Sequence, residues 1–145
     1  MVLELIATLS AGLFAGAAVY VTAVEHPARL EGGPALALRE FGPSYRRGAV
    51  MQAGLAALGF LAGGGAWLAG RGTVWLAAAL TLGALIPFTL IVILPTNKRL
   101  LDPTLAPESA EAARLLIRWG WLHLVRTAAG LAAFVAIVLH LVRAL

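Results

Sequence analysis

The sequence predicts an all-α integral membrane protein, a four-helix bundle whose fourth helix is long. Three observations predict it. The chain is 61% hydrophobic and only 12% charged, against a soluble average of about a quarter charged. Four apolar runs, at about 3–24, 48–70, 73–94 and 119–142, each approach the roughly 20 residues that a helix needs to cross a hydrocarbon core. The last run is preceded by a helical pattern that begins near Pro107-Glu108-Ser109 and continues to Leu145. At 145 residues the chain has room for one domain, 1–145, with little of it in water.

The first run has Glu4 and no Lys or Arg ahead of it, so it lacks the basic leader of a signal peptide and is expected to be a membrane helix. Gly12 and Gly16 stand four apart, the spacing that lets two helix backbones approach, and Tyr20 continues their face. Pro27 disfavours helical geometry at His26. The first helix is therefore expected to end or kink at Glu25-His26, leaving an acid and an imidazole at the membrane boundary.

Residues 28–47 read as an interfacial loop containing Gly32-Gly33-Pro34, an amphipathic piece from Ala35 to Phe41, and Gly42-Pro43. The second run is rich in small residues (Gly54, Gly59, Gly63-Gly64-Gly65) and reads as close helix packing. Gly70-Arg71-Gly72 is a minimal turn, so runs two and three form an antiparallel hairpin with Trp67 and Trp75 as interface anchors. Pro87 frees a carbonyl near Gly83, which a Thr89-type hydroxyl or a neighbouring helix can satisfy. The third run ends at Pro95-Thr96-Asn97-Lys98-Arg99. Pro107-Glu108-Ser109 with Glu111 then starts the fourth helix, acidic in its first turn. That helix, roughly 35 residues or about 50 Å at 1.5 Å per residue, exceeds the membrane, so its first turns project from it.

Basic residues set the orientation. Arg29, Arg39, Arg46, Arg47, Lys98, Arg99, Arg114 and Arg118 flank one side of the runs, against Arg71 and Arg143 on the other. The two basic loops are expected in the cytoplasm and both termini outside, in a bacterial inner membrane. The net charge of +4 is accounted for by these flanks, which excludes nucleic acid as a partner and leaves the lipid bilayer. With no cysteine there is no disulfide, thiolate nucleophile or thiolate metal site. No phosphate loop, dinucleotide fingerprint, zinc-protease motif or hydrolase elbow is present.

Runs one and three end where run four begins, which gathers Glu25, His26, Asn97, Trp119, His123 and Arg126 at one end of the bundle. Trp119, His123 and Arg126 fall at i, i+4 and i+7, one face of a helix. Arg126 lies inside an apolar span and needs a partner, for which Glu25 is the natural candidate. Two readings follow. One is a structural ion pair locking the first helix to the fourth. The other is a site in which His123 is a general base or acid, Arg126 stabilises an oxyanion or enolate, and Asn97 orients a carbonyl. A divalent metal held by Glu25, His26 and His123, or a haem between His26 and His123, stays open as well.

The pattern Tyr20, Val24-Glu25-His26-Pro27-Ala28-Arg29, Pro95-Thr96-Asn97-Lys98-Arg99-Leu100, then Trp119-x-x-x-His123-x-x-Arg126 resembles the anthrone oxygenase-like family of small four-helix membrane proteins. The resemblance covers nearly the whole chain. It implies an enzyme that uses dioxygen as co-substrate to convert an anthrone methylene to a carbonyl, a monooxygenase-type oxidoreductase without a tightly bound flavin or haem. It carries over Asn97, Trp119, His123 and Arg126 as functional positions, with Glu25 and His26 as accessory ones. The expected function is oxygenation of a lipophilic phenolic or polycyclic aromatic molecule, with His123 as base, Arg126 and Asn97 on the anion, and Trp119 and Tyr20 as substrate contacts. A non-enzymatic scaffold, a small-molecule carrier and a haem or metal redox protein remain the alternatives. The glycine-rich faces leave homo-oligomerisation open.

Overall fold

The computed structural model describes residues 1–144 and is helical throughout, apart from short turns and the 101–109 segment. Helix α1 (Val2–Tyr20) passes through a π turn (Val21–Glu25) into α2 (His26–Glu31). Helix α3 spans Gly33–Leu68, and α4 (Thr73–Phe88) continues through a second π turn (Thr89–Ile93) into α5 (Leu94–Leu100). Helix α6 runs over Ala110–Arg143, and the Ser109 hydroxyl accepts the Ala112 N–H at its start. Four continuous helices, Val2–Glu31, Gly33–Leu68, Thr73–Leu100 and Ala110–Arg143, are long and apolar enough to cross a membrane. The protein is an all-α membrane bundle. Its helices form a closed ring: α1 packs on α3 and α6, and α4 completes it between them.

Small residues bring α3 and α4 together as the composition suggests. A Cβ at Gly63 would stand 3.1 Å from the carbonyl oxygen of Trp75 and 3.1 Å from the Ala79 Cβ, so only glycine allows this approach. The connecting turn uses Gly70 at φ +76° and Gly72 at φ +104°, values an L side chain rarely adopts. The α1 stripe divides. Gly12 packs on the Phe134 ring, while Gly16 is exposed with no neighbour.

Three expectations are corrected. Residues 28–47 are almost entirely helical rather than an interfacial loop. Pro27 and Pro34 sit in the first turns of α2 and α3, where the missing N–H costs nothing, and only Gly32-Gly33 reverses the chain. Helix α3 then passes through Pro43, because Ala37 and Phe41 are buried on its inner face. The Arg39 carbonyl that Pro43 leaves without a donor belongs to an exposed residue. Secondly, the first helix does not end at His26, since the π turn absorbs the proline. Thirdly, Trp75 is no interface anchor: it is 1% exposed and packs edge-on against His140. Trp67 is 39% exposed.

Two apolar clusters build the interior. One, around Phe14, Trp75, Leu82, Leu85 and Ile137, fills the end near the α3–α4 turn; the other, around Phe41, Ile93, Leu116 and Trp119, fills the opposite end. Asn97, His123 and Arg126, singled out from sequence, line a cavity that residues of both clusters also border.

Candidate active site between two cores

A cavity of about 170 Å³ opens where the two clusters meet. Its walls include Phe41, Tyr45 and Gln52 of α3, Leu85 and Ile86 of α4, Asn97 of α5, and Trp119, His123 and Arg126 of α6. Gly48, Ala49 and Ala53 line it from α3, and Thr89 and the exposed Leu90 from the second π turn. Most of this surface is apolar, with a few polar groups set into it, the composition of a small-molecule site.

Two arginines line this cavity, Arg29 and Arg126. The Arg126 Nη2 donates to Oε1 of Gln52 at 2.8 Å, its guanidinium lies 5.6 Å from the centre of the Phe14 ring, and its buried Nε has no partner. The expected pair with Glu25 does not form. Glu25 instead accepts from Arg29 and from Ser44, and Arg29 also donates to Ser44 at 3.1 Å. Arg29 is four residues from Glu25 on the same helical stretch, so the pair forms locally before either side chain could reach across to α6. Among the described residues no carboxylate neutralises Arg126. The cavity therefore has an electropositive wall held by a neutral amide, while the Glu25–Arg29 pair beside it is internally compensated.

Asn97 is 1% exposed, and its side-chain oxygen is buried without a hydrogen-bond partner. An orphaned acceptor in a cavity wall is suited to a hydroxyl brought by a ligand. His123 is 3% exposed and its Nδ1 lies 3.0 Å from the Thr22 hydroxyl and 3.4 Å from that of Thr127, neither of which lines the cavity; among the described residues Nε2 has no hydrogen-bond partner.

Trp119 lines the cavity but does not present an open face for stacking. His123 stacks on it with centroids 4.9 Å apart, His26 is tilted against it at 5.0 Å, Phe41 meets it edge-on at 5.4 Å, and the Arg29 guanidinium lies 6.0 Å from its centre. The indole positions these groups, and a ligand meets only the small part of it that borders the cavity. Tyr20, expected as a substrate contact, is 56% exposed and is not among the residues lining this cavity. The residue before the π turn looks outward, whereas Val21 just beyond it faces the cavity.

His26 is buried over Gly120, where a Cβ would stand 2.7 Å from its Nε2, and it lines a second groove with Thr22, Ile117 and Trp121, which Trp119 and His123 border from the other side of the cavity wall. Both imidazoles pack on the Trp119 indole, which takes space that a haem between them would need, and the Glu25 carboxylate is committed to Arg29 and Ser44. Among the described residues no three His, Cys, Asp or Glu side chains come together as a metal site.

Gln52, Tyr45, Arg29, Ser44, Thr22 and Thr127 complete the site beyond the residues expected from sequence. Gln52 had a signal, being the only amide in the second apolar run. The threonines had none, because a lone Thr in an apolar helix ordinarily bonds its own backbone.

The sequence profile of a family described as anthrone oxygenase matches residues 41–136, which include Tyr45, Gln52, Asn97, Trp119, His123 and Arg126. Anthrone oxygenase tpcL of Aspergillus fumigatus is 41% identical over 61 residues, a stretch that covers 40% of this chain and 38% of the relative. The match thus spans well under half of the relative's length. No solved structure matches the chain.

Proposed function

Because the chain belongs to the anthrone oxygenase family, we propose that it oxygenates a lipophilic phenolic or polycyclic aromatic substrate, such as an anthrone, inside the cavity between its two cores. The observation that carries this reading is Arg126, a half-buried guanidinium in a cavity wall whose one hydrogen-bond partner among the described residues is the neutral Gln52. A partly buried cation with no carboxylate beside it is stabilised when an anion arrives, and an anthrone becomes anionic on the way to reaction.

His123 Nε2 takes a proton from the substrate's methylene, and the charge delocalises onto its oxygen as a phenolate. Arg126 stabilises that oxygen, and the free Asn97 carbonyl accepts a hydrogen bond from a neighbouring substrate hydroxyl. The electron-rich anion reduces dioxygen and forms a carbon–oxygen bond. Loss of water from the resulting hydroperoxide leaves a carbonyl, with one oxygen atom in the product and one in water. Dioxygen is the oxidant, and the scheme calls on no resident cofactor.

An apolar cavity of about 150 Å³ holds a benzene ring, so a cavity of about 170 Å³ takes the reacting portion of a polycycle. The remaining rings lie in the mouth between Gly48, Ala49 and Ala53 on one side and Ile86 and Leu90 on the other. That mouth faces the acyl chains, so the substrate enters from the bilayer. With the basic flanks in the cytoplasm, the site lies in the cytoplasmic half of the membrane.

Oxygen uptake by the detergent-purified protein with a tricyclic anthrone tests the reading. Uptake stoichiometric with quinone formation, and its loss in His123→Ala, is expected. Equal rates for the two proteins would remove His123 from the chemistry.

A further inference from the structure

The contacts behind His123 favour one of its two neutral tautomers. Thr22 Oγ1 lies 3.0 Å from His123 Nδ1 and 2.7 Å from Thr127 Oγ1. Thr127 Oγ1 lies 3.2 Å from the carbonyl oxygen of Ala18 and 3.1 Å from that of His123. Carbonyl oxygens only accept, and each threonine has one proton. If Thr127 donates to a carbonyl, its oxygen must receive the Thr22 proton across the 2.7 Å contact. Thr22 then has no proton left for the imidazole, so its oxygen accepts from Nδ1–H. This ordering places a proton in three successive contacts. The reverse ordering, Thr127 to Thr22 to Nδ1, places protons in two and leaves both carbonyls without the threonine donor.

We propose that Thr22 and Thr127 are positioning residues that hold His123 as the Nδ1–H tautomer, keeping the Nε2 lone pair free as the base. The Arg126 charge acts in the same direction. It sits three residues on along the same helix and lines the same cavity, so it favours a lone pair over an N–H on that side. The relay crosses from α6 to the first π turn, because Thr22 belongs to Val21–Glu25 and Thr127 reaches the carbonyl of Ala18 one turn earlier. A hydroxyl two residues past Tyr20 thus governs the chemistry of a histidine about a hundred residues away.

The catalytic consequence rests on the oxygenase reading above; the tautomer itself does not, and it is measured without substrate. Nitrogen-15 spectra of histidine-labelled protein in detergent, with the His123 signals identified by their loss in His123→Gln, distinguish a protonated Nδ1 from a bare one. A protonated Nδ1 and a bare Nε2 are expected. Thr127→Val frees the Thr22 proton for Nδ1, so it should move the tautomer toward Nε2–H by roughly five- to tenfold, the worth of about one hydrogen bond. The turnover rate should fall in proportion with KM little changed. Thr127→Ser and Thr22→Ser keep the hydroxyls and should keep the native nitrogen shifts, separating the relay from a packing defect. A bare Nδ1 in the unmodified protein, or a tautomer unmoved by Thr127→Val in a protein that retains its helical fold, overturns the proposal. If the tautomer is as stated and no anthrone is consumed, the positioning role stands and the oxygenase reading falls.

Discussion

Replacing Arg126 by methionine should lower activity while leaving stability nearly unchanged. On the proposed reaction the guanidinium faces an anion only during turnover. At a separation of about 4 Å and an effective dielectric constant near 20, a unit charge pair is worth about 4 kcal/mol, and loss of a comparable oxyanion donor lowers kcat by roughly 10²–10³. In the resting protein the same group is a burden. Its one hydrogen bond is to Gln52 and its Nε has none, and replacing buried ionic groups with apolar ones of similar volume is neutral or stabilising by about 1–4 kcal/mol. Part of that gain is lost because Gln52 is orphaned, at about 1–3 kcal/mol. Arg126→Met alone should therefore unfold close to the unmodified protein, and Arg126→Met with Gln52→Leu above it. Thermal unfolding in detergent and oxygen uptake with a tricyclic anthrone measure the two effects on one preparation. An Arg126→Met protein destabilised by more than about 3 kcal/mol, the usual loss on breaking a buried ion pair, with its oxygen uptake unchanged, would show that the arginine is a structural lock.

Three further outcomes follow from the same contacts. Glu25→Gln should destabilise the fold by about 3 kcal/mol by leaving the buried Arg29 uncompensated. In double-mutant cycles followed by unfolding, its coupling to Arg29 should exceed 1 kcal/mol and its coupling to Arg126 should lie within about 0.5. Gly63→Ala should cost about 1–3 kcal/mol in the same unfolding assay, since its neighbours include the Trp75 backbone oxygen, which cannot turn aside. The 101–109 segment is tied down by Arg99, which donates to Glu111 at 2.7 and 3.0 Å and to Asp102 at 2.9 Å. The Asp102 carboxyl is held below the usual range, chiefly by the hydroxyl and N–H of Thr104 and then by Arg99. A lowered carboxyl contributes order that is fully present above its ordinary value and is lost as the pH falls through the lowered one. An acid-active protease should thus cut the segment faster on the acid side of that transition, and Arg99→Gln should be cut faster at neutral pH.

Architecture was readable from composition because burying apolar residues in lipid leaves few options for the backbone: four apolar runs separated by glycine and proline can only be four helices. The end of the bundle that carries the site was readable for the same reason, since polar groups in apolar runs are expensive and accordingly few. Partners were less accessible. Arg126 was assigned to Glu25 by charge alone, yet Glu25 had an arginine four residues away on its own helix, and Arg126 settled on an amide in the second run. The Trp119 indole was assigned to a ligand, yet it sits among two imidazoles, a phenyl ring and a guanidinium, all brought in by α2, α3 and α6. Contacts made by residues far apart in sequence leave no local trace, and Thr22 with Thr127 is the extreme case.

The π turns account for much of what a regular helical period could not anticipate. In each, an N–H reaches back five residues, His26 to Val21 and Leu94 to Thr89, and the next residue is a proline. A proline has no N–H to give, and a wide turn ahead of it relieves the clash that a regular helix would suffer there. The extra residue also rotates everything beyond it by about 100° relative to an uninterrupted helix. Arg29 follows the first turn and Asn97 the second, and both face the cavity, whereas Tyr20 before the first turn faces outward. Thr22 and Thr89 lie inside the turns, where Thr22 reaches His123 and Thr89 borders the cavity. Proline thus does not end these helices at the membrane boundary. It accompanies a change of phase that turns Arg29 and Asn97 toward the cavity, and so gathers the candidate site around His123 and Arg126.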